Sequence, residues 1–191
     1  DADSPSLTLL GPSEGLVSKF RHILPIGSYL FAARMATIPI KSITPSNQLS
    51  YILVAEHQGQ RILVSGDAGS VDFKPSRGRE FYEALIEKLS PLHVVQVAHH
   101  GGNNAYFYRC LLASGYKVQD ATSYLLLSHA TLDKHRPSEV FSKFVSELGR
   151  APSDIQLLFT SKPQETKVRD VAAFIAPVVG APAPAGDVRL N

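Results

Sequence analysis

Apolar and polar positions follow two periods along this chain. Short runs of strand character recur at Ser6 to Leu10 (SLTLL), Leu49 to Ala55, Arg61 to Ser65, Val94 to Ala98 (VVQVA), Ser123 to Leu127 (SYLLL) and Ile155 to Thr160 (IQLLFT). Gly11-Pro12 closes the first run as a breaker. The second and third are joined across Glu56-His57-Gln58-Gly59-Gln60, which predicts a hairpin with its glycine in the turn. Between and after these runs the period lengthens. Leu16, Phe20 and Ile23 share a face over Glu14 to Leu24, which Pro25 ends. Phe81, Leu85 and Leu89 do the same over Arg77 to Leu89, and Phe107, Cys110 and Leu111 over Asn103 to Ala113. Ser138 to Leu148 carries Val140, Phe141, Phe144, Val145 and Leu148 on one side, with Pro137 near its start and Gly149 past its end. Gln164 to Phe174 reads as a final helix.

One hairpin early and single strands alternating with helices later predict a layered α/β plan, with a mixed sheet and helices packed on it. Residues 1–176 form the domain. Residues 177–191, rich in Pro, Ala, Val and Gly, read as an extended tail, because that composition propagates neither helix nor ladder. The apolar fraction of 44% supports a packed core and excludes wholesale disorder. Nineteen basic against seventeen acidic residues leave +2, too balanced to announce a nucleic-acid binder by charge. No apolar run approaches the ~18 residues of a membrane span, and no charged leader with an apolar stretch is read at the start, so a cytoplasmic location is expected. The single cysteine, Cys110, excludes a disulfide framework and reads as a buried inert thiol. Any metal here would be held by histidines and carboxylates.

Three polar clusters directly follow core strands: Ser65-Gly66-Asp67-Ala68-Gly69, His99-His100-Gly101-Gly102-Asn103-Asn104, and Ser128-His129 through Asp133-Lys134-His135-Arg136-Pro137. Layered α/β folds build their sites at the carboxyl ends of strands. Asp67 behind Gly66 has room for a ligand or cation, although an Asx-turn leaving a strand would look the same. Adjacent His99 and His100 would point opposite ways on a strand, so one of the two is expected to face a given site. Asn103 or Asn104 would cap the next helix, whose free N–H groups suit an anion. Arg136 and Lys134, flanking His135, suit phosphate, where a solvated loop is the bland reading. His22, His57 and His93 read as surface or core residues. Phosphate-loop, nucleophile-elbow and HExxH motifs are absent from the sequence.

In this order, Asn47-Gln48-Leu49-Ser50-Tyr51-Ile52-Leu53, Arg61-Ile62-Leu63-Val64-Ser65-Gly66-Asp67-Ala68 and Val94-Val95-Gln96-Val97-Ala98-His99-His100-Gly101-Gly102 resemble the metallo-β-lactamase-fold hydrolases. The branch most resembled comprises the hydrolase domain of the bacterial DNA-uptake channel and the phosphorylcholine esterases. The likeness runs over roughly residues 7–160 and includes Thr8-Leu9-Leu10-Gly11-Pro12 and the loop from His129 to Pro137. It implies the second half of an αββα sandwich and two divalent metal ions, zinc first and manganese second. Asp67 would bridge the ions, and His99 or His100 would be a ligand. The catalytic histidine of the loop would be His135, or His129 if the loop is shifted. Asn47, Asn103 and Arg136 would bind substrate. Two departures stand out: Gly102 replaces the family's serine, and Arg136 separates His135 from Pro137.

The family's HxHxDH segment, which supplies most metal ligands, occurs nowhere in the sequence. A metal held by Asp67 and one histidine falls short of the about four ligands of a zinc site. The resemblance therefore implies a metal-dependent hydrolase, a phosphodiesterase or nuclease, incomplete without an N-terminal half on another chain or a cleaved piece. That half is expected on the sheet containing Leu63 and Val95, since a lone half would expose one face of its sheet. Nucleic acid or another phosphodiester is the expected substrate. The rival expectation is a non-catalytic binding or regulatory module that keeps the fold and has lost the metal.

Overall fold

Alternation within the strands sorts their side chains into two faces, and the faces are unequal. A computed structural model describes residues 4–20, 45–67, 87–128, 136–148 and 155–159. The strands are β1 (Ser6–Gly11), β2 (Ile52–His57), β3 (Gln60–Val64), β4 (Val94–Gln96), β5 (Ser123–Leu127) and β6 (Ile155–Phe159). They form one six-stranded sheet in simple order from β1 to β6. β1–β2 and β2–β3 are antiparallel; β3–β4, β4–β5 and β5–β6 are parallel. The fold is thus α/β with a mixed sheet. The expected hairpin is the β2–β3 pair, with Gln58 and Gly59 in its turn. His57 lies in the ladder opposite Gln60 rather than in the turn.

Four helices are described: α1 (Glu14–Phe20), α2 (Pro45–Gln48), α3 (Ala105–Ala113) and α4 (Glu139–Leu148). The Oγ of Ser13 accepts from the N–H of Leu16 at 3.3 Å and that of Ser138 from the N–H of Phe141 at 3.3 Å, so each serine caps its helix start. Asn104 occupies the corresponding position before α3 but makes no such cap bond. The expected helices over 77–89 and 164–174, the tail over 177–191 and the ends beyond Phe20 and Leu148 fall outside the described residues, apart from the last turn at Glu87 to Leu89.

One sheet face carries Ile52, Val54, Leu63, Val95, Leu125, Leu127, Ile155 and Leu157, all buried in a core with Phe107, Cys110 and Leu111 of α3 and Phe141, Phe144, Val145 and Leu148 of α4. Every inward position expected on α3 is buried, and so are those of α4 except Val140, which packs partly buried at the edge. Tyr108 stacks on Phe144 with ring centroids 4.8 Å apart. The other face is also apolar. Leu7, Ala55, Ile62, Val94 and Tyr124 form one row across the register, and Leu9, Leu53 and Val64 begin a second. Leu7 is 74% exposed, Leu9 58%, and Ile62 and Val64 39% each. The open face is therefore that of Ile62 and Val64. Leu63 and Val95 of the same sheet point the other way, into the helix-covered core, because neighbours on a strand face opposite ways.

Candidate functional site

Three neighbouring parallel strands, β3, β4 and β5, end at the same edge of the sheet, and the segments after them meet there. The first segment, Ser65-Gly66-Asp67, is tied to the second by Gln96. The side-chain Oε1 of Gln96 accepts from the N–H groups of Ser65 and Gly66, both at 3.0 Å, and the Oγ of Ser65 donates to the Gln96 carbonyl at 3.0 Å. Gly66 has φ +51°, which turns the chain and sends Asp67 out from the strand end. Nothing in the motif reading singled out Gln96. Its signal was present, since a glutamine inside the apolar run VVQVA needs partners.

After β4 the chain does not continue as strand. Ala98 to Gly101 form a tight turn in which His99 and His100 both adopt left-handed backbone, with φ +51° and +52°. This conformation costs a non-glycine residue roughly 1–2 kcal/mol, and it persists where the surroundings over-determine it. Here they do. The His99 N–H donates to the Gly66 carbonyl at 2.9 Å, the Gly102 N–H to the His99 carbonyl at 2.8 Å, and the Ser138 N–H to the Gly101 carbonyl at 2.8 Å. The buried Tyr108 hydroxyl holds the Gly102 carbonyl at 3.1 Å from the core side. Two glycines are obligatory beneath the turn. A Cβ on Gly101 (φ +74°) would lie 3.1 Å from both Leu127 and Pro137. One on Gly102 would lie 2.9 Å from the His99 carbonyl and 3.0 Å from its Nδ1. The serine common at this position in the resembled family would strike the His99 ring here.

The turn corrects one expectation. Because His99 and His100 lie in a left-handed turn and not on a strand, both rings join one cluster. The His100 Nδ1 is paired with the Ser128 carbonyl at 2.9 Å and the Ser128 Oγ at 3.1 Å, while its Nε2 stands 3.4 Å from Asp67 Oδ1. The side chains of this pair are 41% and 35% exposed, so solvent and ligands reach them. His99 meets different company. Arg136 Nη2 donates to its Nε2, and Asn47 Nδ2 lies 3.4 Å from the same atom. Burial holds the His99 ring below the usual imidazole range, and the Arg136 charge adds to this. The Asp67 carboxylate acts the other way, as does the Asn104 side chain to a smaller extent.

Of the residues expected at the site, Asp67, His99, His100, Arg136 and Asn47 come together. Asn103 stands exposed before α3, with no contact to this cluster among the described residues. Asn104 is buried at the position before α3 and makes no side-chain cap bond to it. His129 and His135, with Lys134, lie outside the described residues. His93 sits at the opposite end of β4, where its Nδ1 accepts from the Arg61 N–H at 3.0 Å, as a structural residue would. Cys110 is buried and its thiol is pushed up to about 12 by desolvation, which keeps it inert. Gln96 and Tyr108 are supporting residues that motif reading missed, and Ser128, which opens the third polar cluster, gains its role as the partner of His100.

As a metal centre the described residues are a partial set: no group of three or more His, Cys, Asp or Glu side chains converges among them. Among them, too, no helix is long and apolar enough to cross a membrane. No protein-family model matches the chain, and neither a curated protein nor a solved structure does.

Proposed function

We propose that this chain is the C-terminal half of a metal-dependent hydrolase of the metallo-β-lactamase type, acting on phosphodiesters, whose remaining ligands come from an HxHxDH half on another chain or a cleaved piece. The observation that carries the reading is the Asp67–His100 pair. Two ligand atoms about 2.05 Å from one zinc at the tetrahedral angle lie about 3.4 Å apart. The Asp67 Oδ1 and His100 Nε2 atoms stand 3.4 Å apart, at the ends of neighbouring strands. Ser128 holds the other nitrogen of His100, as the outer partners of metal-bound imidazoles do. His99 fits a ligand role poorly, because its Nε2 already accepts from a guanidinium, whose charge would oppose a cation. Between the two histidines that the sequence left open, His100 is therefore the ligand of choice.

The exposed apolar face of Leu7, Leu9, Ile62 and Val64 supports the missing half. A second sheet packed there would complete a sandwich and place its ligands at the same edge. Bound at that edge, divalent ions would supply Lewis acidity and activate water near neutral pH. This chain's own residues would do the rest. Asp67 and His100 would hold the ions. Arg136 would bind a phosphoryl oxygen, with His135 or His129 delivering the proton to the leaving oxygen.

Elemental analysis and native mass measurement test this reading together. Purified under native conditions from its source, the chain is expected in an assembly larger than 20.7 kDa that carries zinc or manganese. Asp67→Ala and His100→Ala are expected to strip that metal while leaving the far-UV spectrum unchanged, and His99→Ala to retain it. A metal-free 20.7 kDa monomer would reject the reading and leave the non-catalytic module.

A further inference from the structure

His99 poses a question that the metal-ligand reading leaves unanswered. Its backbone is strained at φ +51°, its ring is packed over Gly102 so closely that no Cβ fits there, and yet its Nε2 faces donors instead of a carboxylate. An imidazole nitrogen has one lone pair in the ring plane. At this nitrogen that lone pair receives Arg136, with the Asn47 amide alongside. Arg136 stands immediately before Pro137, and the chain is tied one residue later to Gly101 through the Ser138 N–H. The guanidinium is thus anchored at its tip by His99 and at its backbone by the very turn that presents His99 and His100.

We propose that His99 is a positioning residue, whose Nε2 holds the Arg136 guanidinium beside the Asp67–His100 pair as a clamp for the non-bridging oxygens of a phosphodiester. A planar guanidinium presents five donors in a fixed fork, so engaging one on His99 fixes the direction of the others. Ordering a long side chain before binding removes a conformational cost that the anion would otherwise bear. This rests on the proposed function for the identity of the substrate, but the clamp itself is independent of metal.

The test uses the full 191-residue chain, stripped of metal with chelator, and inorganic phosphate as the probe. Phosphate affinity is followed by NMR chemical-shift titration or calorimetry. His99→Leu is expected to weaken phosphate binding about tenfold, the size of one lost hydrogen bond to a charged group. His99→Gln, whose amide oxygen falls where Nε2 was, is expected to recover affinity to within about threefold. Arg136→Leu should match His99→Leu, and the double variant should lose no more than either single one, because the two act as a unit. Additive losses, or full affinity in His99→Leu, would overturn the proposal. If His99→Leu does not fold, Arg136→Lys keeps it testable: the 15N resonance of His99 Nε2 must move when the guanidinium is removed, and an unmoved resonance overturns it. Metal content separates the two ideas. Unchanged metal in Asp67→Ala defeats the hydrolase reading and leaves the clamp standing, whereas unchanged phosphate affinity in His99→Leu defeats the clamp alone.

Discussion

Two histidines six residues apart, His93 and His99, bracket β4, and each meets an arginine. At the amino end, the His93 ring accepts from the backbone N–H of Arg61, while the Arg61 guanidinium donates to the carbonyls of Lys88 at 2.7 Å and Pro91 at 3.0 Å and pairs with Glu56 at 3.4 Å. Those bonds fasten the segment before β4 to the β2–β3 hairpin. At the carboxyl end the guanidinium of Arg136 goes to the His99 ring itself, on strained backbone and beside Asp67 and His100. The same residue types serve closure of the fold at one end and a candidate site at the other. What separates them is where the guanidinium goes: to backbone carbonyls and Glu56 at the amino end, which makes a fastening, and to the imidazole itself at the carboxyl end, next to the Asp67–His100 pair.

The strongest way to break the carboxyl end is Gly101→Ala. The substitution combines a positive φ with contacts of 3.1 Å to Leu127 and Pro137. A loss of about 2–4 kcal/mol is expected from urea unfolding, together with loss of the His99–Arg136 contact. A loss below about 0.5 kcal/mol would mean that the turn is not held as described. Gln96→Leu follows. It leaves the N–H groups of Ser65 and Gly66 without their acceptor, and about 2 kcal/mol of destabilisation is expected. Because the Asp67 segment is released, metal retention should fall as well, which elemental analysis reads.

Arg61→Ala sharpens the contrast directly. It should cost about 1 kcal/mol of stability through its carbonyl bonds and leave metal and phosphate binding untouched. Arg136→Ala should do the reverse, changing phosphate binding more than the unfolding midpoint. Equal effects at both ends would erase the distinction. The smallest effect expected is in pH dependence. Desolvation and the Arg136 charge lower the His99 pKa in the folded chain, against the opposing Asp67 charge. The unfolded chain then binds the proton more readily, so stability present above the ordinary imidazole value near ~6.5 should decline as pH falls below it. His99→Gln should flatten that part of the curve, and an unchanged slope in urea melts at stepped pH would show that another group is responsible.

Much of the fold could be read directly from residue patterns. All six strands form where short runs of strand character end at turn residues, and α3 and α4 bury the faces their spacing implies. The site was legible as three clusters at three strand ends. Its internal assignments were not. Reading His99-His100 as strand put the rings on opposite sides, and the left-handed turn put them into one cluster. Asn104 looked like a helix cap from its place before α3, and it occupies that position without making a side-chain cap bond. Which face of the sheet stays open was not legible either: Ile62 is exposed and Leu63 is buried, and one residue is the whole width of a sheet when side chains alternate.

What the sequence by itself determined are the periods and their punctuation: where strands and helices begin, which helix faces are apolar, and that acid and imidazole follow the central strands. These depend on neighbours within a few positions, so they survive without knowledge of the rest of the chain. The tertiary structure alone decided which nitrogen meets which partner. The His99–His100 turn is strained by itself. It is held by Gly66 after β3, Ser128 after β5, Gly101 bonded to Ser138 before α4, and Tyr108 within α3. The bonded residues are 6 to 37 positions apart in the sequence, and they come within hydrogen-bonding distance only when the parallel strands align their ends.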